Sequence, residues 1–274
     1  MSDTSLTARG DMLKSSVLAG QHAIVTGGSS GIGAATSEYL AAMGANVSIL
    51  ALPDDLLPRQ EEKLKSNFNV RIFACGVDMR DPNSVEKAFA AAAGELGAAQ
   101  IMVNCAGIGK SAPFLKTDLA FWKLTIDLNL TGTYLAAMQV FDAMKKAGYG
   151  RIVNIASTVG LEGAPYITAY TASKHGVVGF TRALALEAAK TGVTVNSVCP
   201  GYTDTNLVAE AVGNIVAKTG QTAEEARAAL ANMAPIGRLI RPSEVAETVA
   251  WLCLPSSAAI TGQAIVVAGG AVTN

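Results

Sequence analysis

Short apolar segments alternate with helix-forming segments along most of this 274-residue chain, and that alternation limits its fold more than any other feature. Continuous runs of apolar and β-branched residues are typical of strands that are buried on both faces of a parallel sheet. Because a helix pattern follows nearly every run, we predict an α/β fold with a parallel doubly wound sheet, no second domain and no internal repeat. The predicted strands are residues 21–26, 46–52, 70–77, 101–103, 151–155, 194–198 and 264–267, and the predicted helices include residues 82–96 and 119–144.

One interval, residues 207–233, interrupts the alternation because it is Ala-rich and helix-prone and contains no strand. It forms either packing helices or a lid over a pocket, since long excursions from a regular sheet often carry function. We predict a substrate lid over residues 205–234. Its apolar residues would suit a carbon chain or ring, and they are Leu207, Val208, Val212, Ile215 and Val216. The polar residues 1–17 predict a flexible N-terminal arm.

A glycine-rich turn, TGGSSGIG at residues 26–33, follows the first predicted strand and precedes a helix. Strand, glycine turn and helix in this order are the context that a phosphate-binding loop requires. Glycines let the backbone approach a diphosphate closely, and free N–H groups at the start of the helix receive its charge. The spacing is G-x-x-x-G-x-G rather than the commoner G-x-G-x-x-G. On its placement in the chain, we predict a nucleotide site at this turn.

Tyr170 and Lys174 are four residues apart in a predicted helix, and Ser157 precedes Tyr170 by thirteen residues. Side chains at i and i+4 lie on one face of a helix. An ammonium close to a phenol favours the phenolate, so we expect Lys174 to lower the pKa of Tyr170. Ser157 would then hold the oxygen of a carbonyl or an alcohol beside the phenol. The alternative is a buried tyrosine, a snorkelling lysine and a loop serine without chemistry.

The composition argues against several classes of function. The net charge is −1 and the lysines and arginines are scattered, so no surface for nucleic acid or an anionic membrane is predicted. The four cysteines are single and both histidines are isolated, which argues against a metal site and against disulfides. No apolar run approaches the roughly eighteen residues of a membrane-spanning helix, and the start lacks the apolar region of a signal peptide. We therefore expect a cytoplasmic protein.

Six motifs in register resemble those of the short-chain dehydrogenase/reductase family, and the resemblance runs from about residue 20 to the C-terminus. The motifs are the glycine turn, Asn104-x-Ala106-Gly107, Asn129, Ser157, Tyr170-x-x-x-Lys174 and Pro200-Gly201. The resemblance implies a Rossmann-like doubly wound sheet of about seven parallel strands, in a single NAD(P)-binding catalytic domain over residues 18–274.

The resemblance also implies catalytic roles. Tyr170 would be the general acid/base that exchanges a proton with the substrate oxygen, and Lys174 would lower its pKa and hydrogen-bond the nicotinamide ribose. Ser157 would orient the substrate oxygen, and Asn129 would hold a water linking Lys174 to solvent or else be a structural amide. The physical reason is that hydride transfer leaves charge on oxygen, which a phenol of tuned pKa quenches. Tyr166 cannot form the i,i+4 pair and is a candidate for the substrate pocket.

The cofactor contacts implied by the resemblance fall into four groups. The diphosphate is expected at the glycine turn, the adenine beside residues 78–79, the adenosine side along residues 104–107 and the nicotinamide carboxamide after residue 201. The implied cofactor-binding residues are Gly27, Ser29, Ser30, Gly31, Ile32, Gly33, Asp78, Met79, Asn104, Ala106, Gly107, Tyr170, Lys174, Pro200, Gly201, Thr203 and Thr205.

The end of the second predicted strand bears on the choice between NAD and NADP. NAD-preferring relatives usually carry an acid there for the ribose 2′-OH, whereas NADP-preferring relatives place Arg or Lys next or inside the glycine turn. This chain has Ala51 and Leu52, followed by Asp54 and Asp55, which would repel a phosphate. We expect NAD, with NADP as the alternative. Cys105 replaces an asparagine of many relatives, which we expect to be a mild change in packing.

The segment at residues 168–201 looks most similar to reductases of 3-oxoacyl thioesters and polyketide carbonyls and to 3-hydroxyacyl dehydrogenases. We expect an enzyme that interconverts a secondary alcohol and a ketone, with a 3-hydroxyacyl/3-oxoacyl thioester as its small-molecule substrate. The alternatives are a dehydrogenase of a cyclic or aromatic secondary alcohol and, in another class, a non-catalytic dinucleotide-binding subunit. Arg238 and Arg241 would meet a carrier phosphate or lie at a surface or subunit contact. Relatives are mostly homotetramers, and we expect the same here.

Overall fold

The computed structural model describes residues 16–273, and one sheet of seven parallel strands lies at the centre of this part of the chain. The strand order is β3-β2-β1-β4-β5-β6-β7, so the direction of winding reverses between β1 and β4. The predicted Rossmann-like doubly wound sheet is confirmed. The strands are β1 His22–Thr26, β2 Asn46–Ala51, β3 Ile72–Gly76, β4 Ile101–Asn104, β5 Gly150–Ile155, β6 Val193–Pro200 and β7 Ala264–Val267.

Helices connect the strands and cover both faces of the sheet. They are α1 Gly31–Ala42, α2 Leu56–Asn67, α3 Pro82–Leu96, α4 Leu119–Ile126, α5 Gly132–Ala147, α6 Thr168–Ala188, α7 Asn206–Thr219, α8 Ala223–Ala231 and α9 Pro242–Cys253. The long helix predicted at residues 119–144 exists, but a π-helical turn at Asp127–Thr131 joins its two parts, α4 and α5. Such turns are frequent at functional sites, and this one contains Asn129.

Two apolar cores lie on the two faces of the sheet. Successive residues of one strand enter different cores, as Ile101 and Met102 do in β4. Helices α1 and α9 close the first core, for example through Leu40 and Val249, while α3 and α5 close the second. Because both faces are buried, each central strand reads as a continuous apolar run, which is why the sequence predicted these strands.

The interval predicted as a lid forms α7 and α8, which share a small core of their own. Val208 and Val212 are buried in that core against Leu230 of α8. Our expectation that these two valines face a substrate is therefore wrong, because the amphipathic face of α7 is used to pack α8. Leu207 is different: its Cδ2 lies 2.8 Å from the position of a Cβ built on Gly109, so it covers the loop that follows β4.

The lid role of residues 205–234 stays a prediction, as does the division into an arm and one domain. Of the predicted arm, residues 1–15 lie outside the described residues, and Ser16 and Val17 are exposed. Within residues 16–273, no helix has the length and apolar character needed to cross a membrane.

Candidate active site

The candidate site residues gather at one edge of the sheet because parallel strands all end there. The glycine turn follows β1, residues 105–107 follow β4, Ser157 follows β5 and Gly201 follows β6. In open doubly wound sheets, ligands bind in the crevice at the carboxyl ends of the strands where the order reverses. Here that crevice lies between β1 and β4.

The glycine turn fits a dinucleotide diphosphate. A Cβ built on Gly33 would lie 2.1 Å from the Gly27 carbonyl oxygen, so only glycine allows α1 to pack this closely on the turn. Helix α1 begins at Gly31, its N-cap Ser30 makes no side-chain capping bond, and its first turn holds no acidic residue. Because these first-turn N–H groups have no capping side chain, they are available to a bound anion.

The loop after β4 is held against the glycine turn. The Thr26 hydroxyl accepts hydrogen bonds from the backbone N–H groups of Cys105, at 3.1 Å, and Ala106, at 3.3 Å. A Cβ on Gly27, whose φ is +63°, would lie 2.9 Å from the Ala106 Cα. The Asn104 amide donates to Asn154 Oδ1 at 2.8 Å, while its own Oδ1 is buried without a hydrogen-bond partner in the described part of the chain.

Tyr170, Lys174 and Ser157 come together as predicted. Lys174 is buried, its Nζ donates to the Ile155 carbonyl oxygen at 2.7 Å, and it lies 5.7 Å from the centroid of the Tyr170 ring. The Ser157 hydroxyl interacts with the Tyr170 phenol. Ser157 also begins the 3-10 turn Thr158–Gly160, which turns the chain back toward α6.

The pKa values of this pair differ from our expectation. Burial raises the pKa of Tyr170 to about 12, although the hydrogen bond with Ser157 opposes the rise. Burial also lowers the pKa of Lys174 to about 8. The net shift of the Tyr170 pKa is therefore opposite to the direction that we expected, because burial disfavours the charged phenolate.

Asn129 joins three segments of the site. Its Oδ1 accepts from the Ile108 N–H at 2.9 Å, and its Nδ2 donates to the Ile108 carbonyl at 2.9 Å and to the Ser173 hydroxyl at 3.0 Å. A Cβ on Gly107 would lie 3.0 Å from Asn129 Oδ1 and 3.7 Å from Lys174 Nζ. Asn129 is therefore more than an amide bonded within its own helix. Sequence reasoning missed Ile108 and Ser173, and only the adjacency of Ser173 to Lys174 signalled either of them.

The residues expected to meet the adenine are already engaged by neighbours. Both carboxylate oxygens of Asp78 accept hydrogen bonds from Arg80, at 2.9 and 2.6 Å, and this lowers the pKa of Asp78. The Met79 side chain is buried, and its backbone oxygen would lie 3.0 Å from a Cβ on Gly132. Arg80, which we did not predict, thus holds Asp78 at the rim of the crevice.

The segment after β6 reaches back to the glycine turn. Gly201 N–H donates to the Val267 carbonyl at 3.0 Å, and the Thr203 hydroxyl donates to the Gly201 carbonyl at 3.0 Å. Thr205 Cγ2 lies 3.1 Å from the position of a Cβ on Gly31. The segment that contains Pro200, Gly201, Thr203 and Thr205 therefore reaches the start of α1 at the glycine turn.

Two arginines that we considered for a carrier phosphate are paired instead. The Arg238 guanidinium donates to both carboxylate oxygens of Glu244 at 2.8 Å, and Arg241 donates to the same carboxylate at 3.1 Å. Arg238 lowers the pKa of Glu244 to about 2. This ion-pair network favours the surface or subunit-contact interpretation that we kept open for both arginines.

A cleft of about 400 Å³ opens between α7 and the loop after β4, and it is lined by Lys110, Ser111, Phe121, Glu210, Gly213 and Asn214. Its lining residues adjoin Leu207 on α7 and Gly109 in that loop, which contact each other. Among residues 16–273, no group of three or more His, Cys, Asp or Glu is arranged to hold a metal ion.

Comparison with known proteins gives the family. The short chain dehydrogenase family model matches residues 21–215. A Streptomyces coelicolor protein described as a ketoacyl reductase is 39% identical over 250 residues, covering 90% of this chain and 95% of that protein. The cis-4-hydroxycyclohexanecarboxylate dehydrogenase of Sinomonas cyclohexanicum is 37% identical over 251 residues, covering 90% of this chain and 95% of that protein.

A solved structure agrees with these sequence matches. A single-site variant of the actinorhodin polyketide ketoreductase, crystallised with NADPH, superimposes with a TM-score of 0.88 at 39% identity, over 92% of this chain and 97% of that chain. The expected resemblance is confirmed by the fold, by the family match and by these relatives. The chain belongs to the short-chain dehydrogenase/reductase family and is an oxidoreductase that uses a nicotinamide dinucleotide.

Proposed function

We propose that this protein interconverts a secondary alcohol and a ketone, with Tyr170 as the general acid/base. The observation that carries the proposal is the position of Tyr170, in contact with Ser157 and beside the buried Lys174, at the sheet edge that also holds the glycine turn. A hydride and a proton can reach the two atoms of one carbonyl only where a dinucleotide crevice and a proton donor adjoin.

Tyr170 and Ser157 would act on the substrate oxygen. Bound NAD(P) supplies the hydride acceptor or donor. In the reducing direction, negative charge develops on the carbonyl oxygen, and a donor within hydrogen-bond reach stabilises it. With a pKa of about 12, the Tyr170 phenol is protonated at neutral pH and so is ready to donate. The Ser157 hydroxyl, in contact with that phenol, would hold the same oxygen.

Lys174 and Asn129 would support that transfer. At a pH below about 8, Lys174 carries a positive charge, which stabilises the phenolate left after proton donation. We further propose that Lys174 hydrogen-bonds the nicotinamide ribose and that Asn129 holds a water joining Lys174 to solvent. The closeness of both side chains to Gly107 supports the second role.

The glycine turn and the loops around it would hold the cofactor. Two observations support a diphosphate at Gly27 and residues 29–33. The space beside Gly27 and Gly33 is too small for a Cβ, and the start of α1 has no capping side chain. Residues 104–107 would flank the adenosine, and residues 200–205 would flank the nicotinamide carboxamide. Asp78 and Met79 would border the adenine, with Asp78 held by Arg80.

We propose NADP(H) as the preferred form of the cofactor, with weak discrimination against NAD(H). The solved relative was crystallised with NADPH, which favours NADP and does not support our expectation of NAD. The chain supplies no cation at Ala51 or Leu52, and Asp54 caps the start of α2 through the N–H groups of residues 56 and 57. We expect kcat/KM to differ by less than about tenfold between the two cofactors. A preference for NADH, or a difference above about tenfold in either direction, would contradict this proposal.

For the substrate, we propose a 3-oxoacyl thioester or polyketide-type ketone, reduced to the corresponding 3-hydroxy compound. Two relatives support this substrate class by name, the Streptomyces coelicolor ketoacyl reductase and the actinorhodin polyketide ketoreductase. A cyclic secondary alcohol is the second candidate, supported by the cyclohexanecarboxylate dehydrogenase at nearly the same identity. Oxidation of NAD(P)H by acetoacetyl-CoA and by 4-oxocyclohexanecarboxylate, measured side by side, separates the two.

Tyr170→Phe tests the catalytic assignment. Without the phenol, we expect kcat to fall by about 10²–10⁴ because no proton donor replaces it. Cofactor affinity, followed by NADPH fluorescence, should change by less than about threefold. Tyr134→Phe is the matched control, since Tyr134 is a half-exposed tyrosine on α5, and it should leave both quantities unchanged. Unchanged turnover in Tyr170→Phe would overturn the assignment.

The non-catalytic alternative gives a different result. A dinucleotide-binding subunit would bind NADPH but reduce no ketone of a broad panel, and Tyr170→Phe would then have no effect to measure. The intact set of Ser157, Tyr170, Lys174 and Asn129 supports the enzyme. A homotetramer, a cytoplasmic location and lid movement of residues 205–234 remain proposals. Sedimentation analysis tests the first of them.

A further inference from the structure

Tyr166 has an unusual backbone conformation. Among residues 16–273 it is the one non-glycine residue with a positive φ, at +67°. For a bulky L-residue the left-handed region costs about 1–2 kcal/mol, and glycine or asparagine adopts it more easily. Such strain persists where the surrounding structure enforces it, and it is concentrated at functional sites.

Packing does not explain why a tyrosine occupies this position. The side chain is 64% exposed, whereas the core tyrosine Tyr39 is 6% exposed. The contact that fixes the residue is made by its backbone, because the Ala112 N–H donates to the Tyr166 carbonyl at 2.7 Å. A glycine or an asparagine could accept the same hydrogen bond with less strain. The ring must therefore serve something other than the stability of the fold.

The backbone bond to Ala112 holds Tyr166 beside the segment that lines the cleft. Ala112 directly follows Lys110 and Ser111, which line the cleft under the lid. Along the chain, Tyr170 follows Tyr166 by four residues and lies in the first turn of α6. The strained residue is thus tied by its backbone to the segment that lines the cleft, and it precedes the proposed proton donor by four residues.

We propose that Tyr166 is a specificity-determining residue whose ring contacts the body of the substrate beyond the reacting carbonyl. This inference rests on the proposed function and deepens it. An exposed aromatic face with a hydroxyl at its edge suits a ring that carries oxygen substituents. A short linear 3-oxoacyl chain offers no ring face on which Tyr166 could stack. The residue therefore selects cyclic ketones over short linear ones.

The test compares Tyr166→Asn and Tyr166→Phe on two substrates. Asparagine tolerates the left-handed conformation, so it removes the ring and keeps the backbone. For Tyr166→Asn we expect KM for 4-oxocyclohexanecarboxylate to rise about tenfold, with kcat and KM for acetoacetyl-CoA within about twofold and an equal or higher Tm. Tyr166→Phe keeps the ring, so KM for the cyclic ketone should stay within about threefold.

Controls separate this inference from the proposed function. Trp251→Ala removes another exposed aromatic ring, near the end of α9 at the opposite edge of the sheet, and it should change neither KM. If the wild type reduces both ketones and Tyr166→Asn keeps the same selectivity, this inference fails alone. A marked fall in Tm for Tyr166→Asn would also overturn it, since the ring would then stabilise the fold. A wild type that binds NADPH and reduces neither ketone overturns the proposed function and this inference together.

Discussion

The glycine turn at residues 26–33 and the predicted lid at residues 205–234 lie at the same edge of the sheet, but an added methyl group would affect them very differently. A Cβ on Gly33 would lie 2.1 Å from a backbone oxygen, and a Cβ on Gly27 would lie 2.9 Å from another backbone atom. In the lid, a Cβ on Gly213 would have nothing within 4 Å. One wall of the site is thus fixed by backbone against backbone, and the other by side chains that can be exchanged.

This difference agrees with what the relatives share. A ketoacyl reductase and a cyclohexanecarboxylate dehydrogenase, whose named substrates are unlike, match this chain at 39% and 37% identity. Proteins with different named substrates therefore each resemble this chain over 90% of its length. Tight backbone packing would keep the dinucleotide crevice unchanged, while a separately packed lid would allow the substrate wall to vary.

Gly33→Ala should give the largest effect, because it adds a methyl group where the glycine turn packs backbone against backbone. The added methyl group cannot fit beside the Gly27 carbonyl, so α1 must move away from the turn. We expect a loss of about 3 kcal/mol or more in unfolding free energy and at least a hundredfold loss of NADPH affinity. Urea unfolding and fluorescence titration measure these quantities.

The control for that variant is Gly94→Ala on the exposed side of α3, where a Cβ would meet nothing within 4 Å. It should bind NADPH as the wild type does. Normal NADPH binding by Gly33→Ala would mean that the turn is far more adaptable than its backbone contacts indicate, and the comparison would lose its basis.

Lys174→Met should give the next largest effect, with stability and activity changing in opposite directions. Burial lowers the pKa of Lys174 from 10.5 to about 8, so the folded state holds a charge at neutral pH that it disfavours. Removing the charge should raise the unfolding free energy at pH 7 by about 1–3 kcal/mol. Turnover should fall by about a hundredfold or more, because the phenolate of Tyr170 loses its nearby cation.

The pH dependence of the unfolding free energy tests whether the buried charge of Lys174 causes this change in stability. Between pH 8 and 10.5 the unfolded wild type binds more protons at residue 174 than the folded one, so this residue makes stability rise with pH in that window. The extra unfolding free energy of Lys174→Met over the wild type should therefore shrink from pH 7 to pH 10. A difference that stays constant across this range would show that burial of the charge is not its cause.

Much of the fold could be predicted because its signals are local. Helix α3 matches its prediction residue for residue: Asp81 caps its start, Pro82 follows, and Gly97 ends it at φ +85°. The edge strand β7 also matches, since its short apolar run follows a helix and a turn. The catalytic pair could be predicted for the same reason, as i,i+4 spacing in one helix already sets its geometry.

The rest depends on tertiary contacts that the sequence does not encode locally. The pKa of Tyr170 is set by how completely the phenol is buried, and spacing alone gave the wrong direction. Val208 and Val212 are apolar residues of an amphipathic helix, but the sequence does not say whether that helix faces a ligand or α8. The partners of Asn129 are 21 and 44 residues away.

Val212→Ala tests the predicted lid, the more adaptable of the two regions, and its effect should be smaller. Val212 packs in the lid core, so truncation should loosen α7 against α8 without affecting the sheet. We expect faster hydrogen exchange in α7 and α8 and a three- to tenfold higher ketone KM, with NADPH affinity within about threefold. Leu186→Ala, at a side chain that is 81% exposed on α6, is the control. If NADPH affinity fell as much as ketone affinity, the lid would belong to the cofactor site as well.

Gly213→Ala should give the smallest effect and the sharpest contrast with Gly33→Ala. Gly213 lies inside α7, its φ is not positive, and a Cβ there meets nothing within 4 Å. Alanine loses less backbone entropy on folding, so we expect the lid to gain about 0.5–1 kcal/mol of stability, seen as slower hydrogen exchange in α7. Ketone KM should stay within about twofold, although Gly213 lines the cleft. A large rise in KM would place the substrate against this face of α7 and make that part of the lid as intolerant of an added methyl group as the glycine turn.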